Sequence, residues 1–189
     1  MTEKPYQGRA IVVDTFQGLE ITIPTKKNVL LILFLSFWLC GWLMGETFAI
    51  GAVGGLWRSL NFAGLFILIW LCGWTIGGFF AIRTLIWNVI GKEILHFEQG
   101  QLTVQKQGAI FFKPSTYDLS EAKNFRVQDD KYGYGGARRT GLAPLYDGGT
   151  IRFNYGLKTL KIAGGVDEAE AEFILTKLKS KKILTDKNF

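Results

Sequence analysis

Histidine is almost missing from this chain of 189 residues, with His96 the single example, and cysteine is confined to Cys40 and Cys72. A nucleophile needs a base within reach and usually a third group to orient it. One histidine, set in the apolar pattern Leu95-His96-Phe97, leaves no such set to assemble, and no enzyme is expected. No GxxxxGK[ST] occurs, nor a GxGxxG that follows a strand and opens a helix, so neither common nucleotide signature is available. No cofactor, metal or small-molecule substrate is expected on these grounds. A nucleic-acid partner would need a basic stripe with aromatic platforms. Here 22 Lys and Arg are scattered among 16 Asp and Glu, and no nucleic acid is expected.

Charge is also missing from two long stretches. Val29 to Ile50 holds only Glu46, and Leu60 to Ile82 holds none. Each run exceeds the roughly 20 apolar residues that cross about 30 Å of hydrocarbon, which predicts two transmembrane helices over about 29–50 and 60–82. A cleaved signal peptide does not fit a run that begins after a polar segment with strand character. The linker Gly51 to Ser59 is too short for a domain, so the helices form an antiparallel hairpin within residues 28–90. Lys26, Lys27, Arg83 and Lys92 flank the open end and Arg58 alone lies in the linker, which places both termini in the cytoplasm by the positive-inside bias. The net charge of +6 then reads as attraction to an anionic inner leaflet.

The two runs share a sequence. LFLSFWLCGWLMGETFAI from Leu33 and LFILIWLCGWTIGGFFAI from Leu65 agree at 11 of 18 positions at a constant offset of 32 residues. In an antiparallel hairpin such a direct repeat becomes an inverted one about a pseudo-twofold axis in the membrane plane. Each copy carries WLCGW and a GxxxG, at Gly41/Gly45 and Gly73/Gly77, whose glycines share a helix face and permit close backbone approach in the hairpin or in a dimer of hairpins. Cys40 and Cys72 hold equivalent positions and are read as small packing residues rather than a redox pair. A transporter reading lacks discontinuous helices and a polar midplane. Glu46 is the ionisable exception inside a span. Its place near the outer end suits snorkelling or pairing with Arg58.

Ahead of the hairpin, GRAIVVDTFQGLEITIP alternates Leu19, Ile21 and Ile23 with Glu20 and Thr22 around a turn at Gln17/Gly18, so residues 1–27 predict a β-hairpin. Isolated hairpins are marginal in water. It is expected to pack on the downstream domain or to join its sheet. From Gly91 to Phe189, strand-like segments recur between turn signals at Glu93–Phe97, Leu102–Gln105, Ala109–Phe112, Thr116–Leu119, Asn124–Val127, Thr150–Asn154 and Thr159–Ile162. A helix follows in VDEAEAEFILTKLKSKK, acidic at its start and basic at its end as the helix dipole favours, with Phe173, Ile174 and Leu178 as an apolar face. Between strands, Gln128 to Gly149 combines Lys131, Tyr132, Tyr134, Arg138, Arg139 and Tyr146 with many glycines. A long loop of this kind is usually functional or disordered, and it is a candidate partner-binding loop.

Three segments, GKEILHFEQGQLTVQKQ, FFKPSTYDLSEAKNFRV and IRFNYGLKTLKIAGGVDEAEAEFILTKL, place short strands and one closing helix directly after membrane spans. In this the region Gly91 to Lys182 resembles the bacterial pleckstrin-homology-like domains of small membrane proteins. The resemblance implies a membrane α+β protein in which a two-helix transmembrane hairpin carries a cytoplasmic antiparallel β-barrel with a C-terminal helix. It also implies a multi-pass protein of the bacterial inner membrane that serves interaction or assembly, with a protein partner or a homo-oligomer. Eukaryotic relatives of this fold often bind phosphoinositides through basic residues at the first hairpin. Here that turn reads FEQGQ, and lipid recognition does not carry over, leaving an inner-leaflet lipid sensor as the alternative reading.

Overall fold

The computed structural model describes residues 8–16, 18–56, 62–108, 110, 112–128 and 149–189, with side chains outside 52–63. Two compact units appear. One comprises Lys27–Val89, and the other Met1–Lys26 with Ile90–Phe189.

The strand unit begins with β1 (Ile11–Thr15) and β2 (Gly18–Pro24), and after the helices continues with β3 (Lys92–Glu98), β4 (Gln101–Gln107) and β5 (Ser115–Asp118). These five pair antiparallel in chain order. The period-2 pattern reads out directly. Leu19, Ile21 and Ile23 of β2 and Leu95 and Phe97 of β3 are buried, while Glu20, Thr22 and His96 alternate with them on the other face. The N-terminal hairpin thus joins the sheet, with β2 and β3 in register from Gly18↔Glu98 to Pro24↔Lys92. Gly18 is required there, since a Cβ would fall 1.8 Å from the Phe97 carbonyl oxygen. The β3–β4 turn has two residues, Gln99 and Gly100, both at positive φ, as a tight hairpin of matching twist demands.

A second sheet holds β6 (Ala122–Val127), β7 (Ile151–Tyr155) and β8 (Lys158–Ile162). The helix α3 (Glu168–Ser180) follows, capped by the Asp167 carboxylate, which accepts from the Glu170 N–H at 2.8 Å. Its inward face is Ala171, Ile174, Leu175 and Leu178, at helical spacing. Phe173, expected on that face, is instead 37% exposed. Both sheets and α3 share one core, from Val12 and Leu19 through Phe97 and Phe153 to Leu184. Burying such side chains stabilises the fold by about 1.5–3 kcal/mol each.

Two expectations need correction. The sheets do not close into a barrel. Leu119 to Glu121 turns the chain from β5 into β6, and there the Asn188 amide donates to the carbonyls of Leu119 (2.6 Å) and Ala122 (2.8 Å). A side chain from the C-terminal 3-10 turn (Asp186–Asn188) thus satisfies two carbonyls at the corner between the sheets. Phe189 packs tilted on Phe125 beside it, 6.5 Å between centroids. Nor is the segment Ala109–Phe112 a strand among the described residues. Gly108 turns at φ 86 directly after β4, and Ile110 and Phe112, the residues of that segment that are described, lie outside any strand, while 109 and 111 lie outside the described residues.

The second unit is α1 (Val29–Leu56) and α2 (Phe62–Ile90). Both are long and apolar enough to cross a membrane, over Val29–Gly51 and Gly64–Ile90. The second span runs past the expected end at Ile82, because Leu85, Ile86, Val89 and Ile90 keep the helix apolar to its last turn. Arg83 consequently sits inside the helix and not at its exit.

The candidate helix seam and the strand junction

Where α1 and α2 meet, the two WLCGW copies supply the contacts. The Trp42 indole N–H donates to the Trp74 carbonyl at 3.2 Å. Trp38 lies 6.2 Å from Trp74, and Trp74 stacks on Trp70 at 4.9 Å. The Trp42 ring fills the space beside Gly78, where a Cβ would come within 2.1 Å of it. The counterpart of Gly78 at the 32-residue offset is Glu46, which offers no such hollow. This one difference breaks the twofold. Trp42 enters a notch and finds an acceptor, whereas the Trp74 N–H is buried without a partner.

The expected glycine seam is not what joins these helices. A Cβ placed on Gly41, Gly45, Gly73 or Gly77 meets nothing within 4 Å, so all four faces are open within the chain. Indole rings occupy the seam instead, and among the described residues nothing covers the GxxxG faces. Cys40 and Cys72 are exposed free thiols.

Glu46 is buried at 7% exposure, and its carboxylate contacts the Thr75 hydroxyl of α2. That hydroxyl also lies 2.8 Å from the Leu71 carbonyl, an intrahelical back-bond. Among the described residues Thr75 is therefore the partner of Glu46, whose second oxygen is buried and unpaired. Arg58, the expected partner, lies outside the described residues. So do Lys131, Tyr132, Tyr134, Arg138, Arg139 and Tyr146 of the candidate loop. Further along α2, the Arg83 Nε is buried with no hydrogen-bond partner.

The strand unit has its own junction with the helices. Pro24 pairs with Lys92, so the chain leaves for α1 and returns from α2 at one end of two neighbouring strands. Just beyond that pair the Thr25 N–H donates to the Gly91 carbonyl at 3.0 Å, and the Thr25 hydroxyl reaches the same oxygen. The helical hairpin thus stands in the chain where a β-turn would stand between β2 and β3. Nearby, Glu93 of β3 is buried and accepts from the Gly164 N–H at 2.8 Å, tying the turn before α3 to β3. Burial pushes its carboxyl above the usual range, opposed by the Gly164 and Ala163 N–H groups and by Lys106.

His96 belongs to a polar row on the open face of the first sheet. Its Nδ1 lies 3.5 Å from Glu20, its cross-strand neighbour, and beyond it the Thr103 and Thr116 hydroxyls are 3.1 Å apart. The tryptophans and Gly78 are the residues that sequence reasoning passed over. Their signal was present in the repeat itself, since WLCGW conserves two indoles per copy as well as a glycine. No protein-family model, curated protein or solved structure matches this chain.

Proposed function

We propose that the chain is a two-span protein of the bacterial inner membrane, with both termini in the cytoplasm, whose strand unit is a pleckstrin-homology-like module that presents a surface to a protein partner. One observation carries this reading: the apolar hairpin is spliced between two strands that pair along their whole length. The segments on either side of the hairpin build one sheet. That supports an even number of crossings with both flanks on one side, and Lys26, Lys27 and Lys92 near that junction support the cytoplasmic side. Among the described residues, eight antiparallel strands with α3 after the last of them support the pleckstrin-homology-like reading, in an open two-sheet form.

On this reading the chain is an interaction or assembly protein and not an enzyme, and Lys131, Tyr132, Tyr134, Arg138, Arg139 and Tyr146 are the contact residues. The test is R138A/R139A in the full chain. Co-purification of a partner in mild detergent should fall while the unfolding temperature stays constant. Equal loss of both would assign the segment to the fold and remove it as a contact surface. An inner-leaflet lipid sensor is the second reading, favoured by the unpaired Arg83 Nε in an apolar helix.

A further inference from the structure

Arg83 is the one charged residue of α2, and seven more residues of helix follow it. Val89 and Ile90 in that last stretch are exposed, at 40% and 63%, which is apolar surface suited to lipid and not to water. On the membrane reading, which this inference requires, Arg83 therefore lies inside the span, roughly 10 Å from the helix end at about 1.5 Å per residue.

We propose that Arg83 binds the phosphate of an anionic phospholipid at the inner-leaflet boundary. A guanidinium stays charged in any protein setting, so the cost of placing it in an apolar span falls only if a partner is found. The polar side chains closest in sequence spend their donors within the helix, and no hydrogen bond joins either to Arg83 among the described residues. The Thr84 hydroxyl donates to the Phe80 carbonyl, and the Asn88 amide donates to the Thr84 carbonyl, both at 2.8 Å. Ion pairs among the described residues include Glu20 with His96, Asp14 with Lys181 and Asp186 with Lys179. Glu46 contacts Thr75, eight residues earlier on α2 and so about 12 Å away along the axis.

The Arg83 side chain is only half-buried. At that depth an extended arginine snorkels to the headgroup level, and its planar fork of donors matches two phosphate oxygens. Trp87, one turn further, is the amphipathic residue type of the same interface. The shared chemistry is a phosphate dianion or diester, and the apolar setting selects the lipid-borne form.

The experiment uses the full chain reconstituted in bilayers of phosphatidylglycerol and phosphatidylcholine, with co-purified lipid quantified by mass spectrometry. Phosphatidylglycerol should be enriched over phosphatidylcholine, and R83Q should lower that enrichment about fivefold, the factor for one basic residue at an anionic surface. R83K should keep part of it, as a point charge without the fork. Persistence of the enrichment in excess inorganic phosphate supports the lipid. Its loss would assign the site to free phosphate and overturn the lipid assignment. Equal enrichment in the parent and R83Q would overturn the site altogether. So would a change in oligomeric state with R83Q at unchanged lipid content, which would point to a carboxylate from a second copy. Failure of the membrane reading shows separately, as release of the protein from vesicles by alkaline carbonate before any lipid is measured.

Discussion

Phe48 and Phe153 are the same side chain with opposite fates. Phe48, on α1, is 83% exposed, and Phe153, on β7, is fully buried. The contrast holds across the two units. Phe37, Met44 and Phe66 face outward from the helices, while Glu46, Thr84 and Asn88 are covered; in the strand unit Phe97, Leu102 and Ile151 are covered and Glu20, Thr22 and Thr103 are not. Both units bury some polar groups, Glu93, Thr150, Glu170 and Asn188 among them in the strand unit, so the difference lies in the much larger apolar surface that the helices turn outward. On the proposed membrane reading these apolar groups face hydrocarbon, and packing between the helices then depends on shape and hydrogen bonds because lipid is as apolar as leucine. Among the described residues, Trp42 in its notch at Gly78 and the Glu46–Thr75 contact are devices of this kind.

The most severe way to test the contrast is to remove the two phenylalanines in turn. Phe153→Ala should destabilise the full chain by about 3–5 kcal/mol, as for large-to-small changes in a packed core. Phe48→Ala should stay within about 0.5 kcal/mol. Chemical unfolding in detergent micelles reads both, and comparable losses would show that α1 packs in a core like any soluble helix.

The seam gives a smaller but sharper comparison. Gly78→Leu drives a side chain into the Trp42 ring and should destabilise by about 1–3 kcal/mol, the usual cost of overpacking. Gly41→Leu and Gly73→Leu meet open space and should leave the monomer's unfolding unchanged, with any effect confined to self-association in a sedimentation experiment. Loss of monomer stability in both would restore the glycine seam.

At the β5–β6 corner, Asn188→Ala strips the Leu119 and Ala122 carbonyls of their donor and should cost about 1–3 kcal/mol, measured by thermal unfolding. The smallest effect concerns pH. The Glu93 carboxyl titrates above its unfolded value because it is buried, so its contribution to stability is complete below the unfolded value and is lost as pH rises through the folded one. Glu93→Gln keeps an acceptor for the Gly164 N–H and should flatten this slope. A variant with an unchanged slope would assign the titration to another group.

Much of this was legible in the sequence because the periods are unambiguous. The β1–β2 hairpin, the Glu98–Gln101 turn and the acidic start of α3 each combine a hydrophobic period with its proper cap or turn residue. The barrel was not legible in the same way, since closure depends on long-range pairing. One asparagine at position 188, a residue type common in any loop, donates to both carbonyls at the corner between the sheets. The seam was half legible. A GxxxG reports that two faces are smooth, but whether those faces meet is decided by the bulkiest neighbour, and here tryptophan occupies the space. The extension of α2 past Arg83 was hidden for a related reason. A charge reads as the end of a span in one dimension, although Leu85, Ile86, Val89 and Ile90 carry the apolar helix past it.

The central claim is that the hairpin interrupts one domain, so that the two ends of the helices emerge on the same side. Labelling with a membrane-impermeant thiol reagent tests it most directly, using Lys26→Cys, Arg58→Cys and Lys113→Cys one at a time in a chain carrying Cys40→Ala and Cys72→Ala. In intact cells only the position 58 cysteine should label, and in inverted vesicles only those at 26 and 113. Labelling of positions 26 and 113 from opposite sides would contradict the account, because β2 and β3 could not then pair.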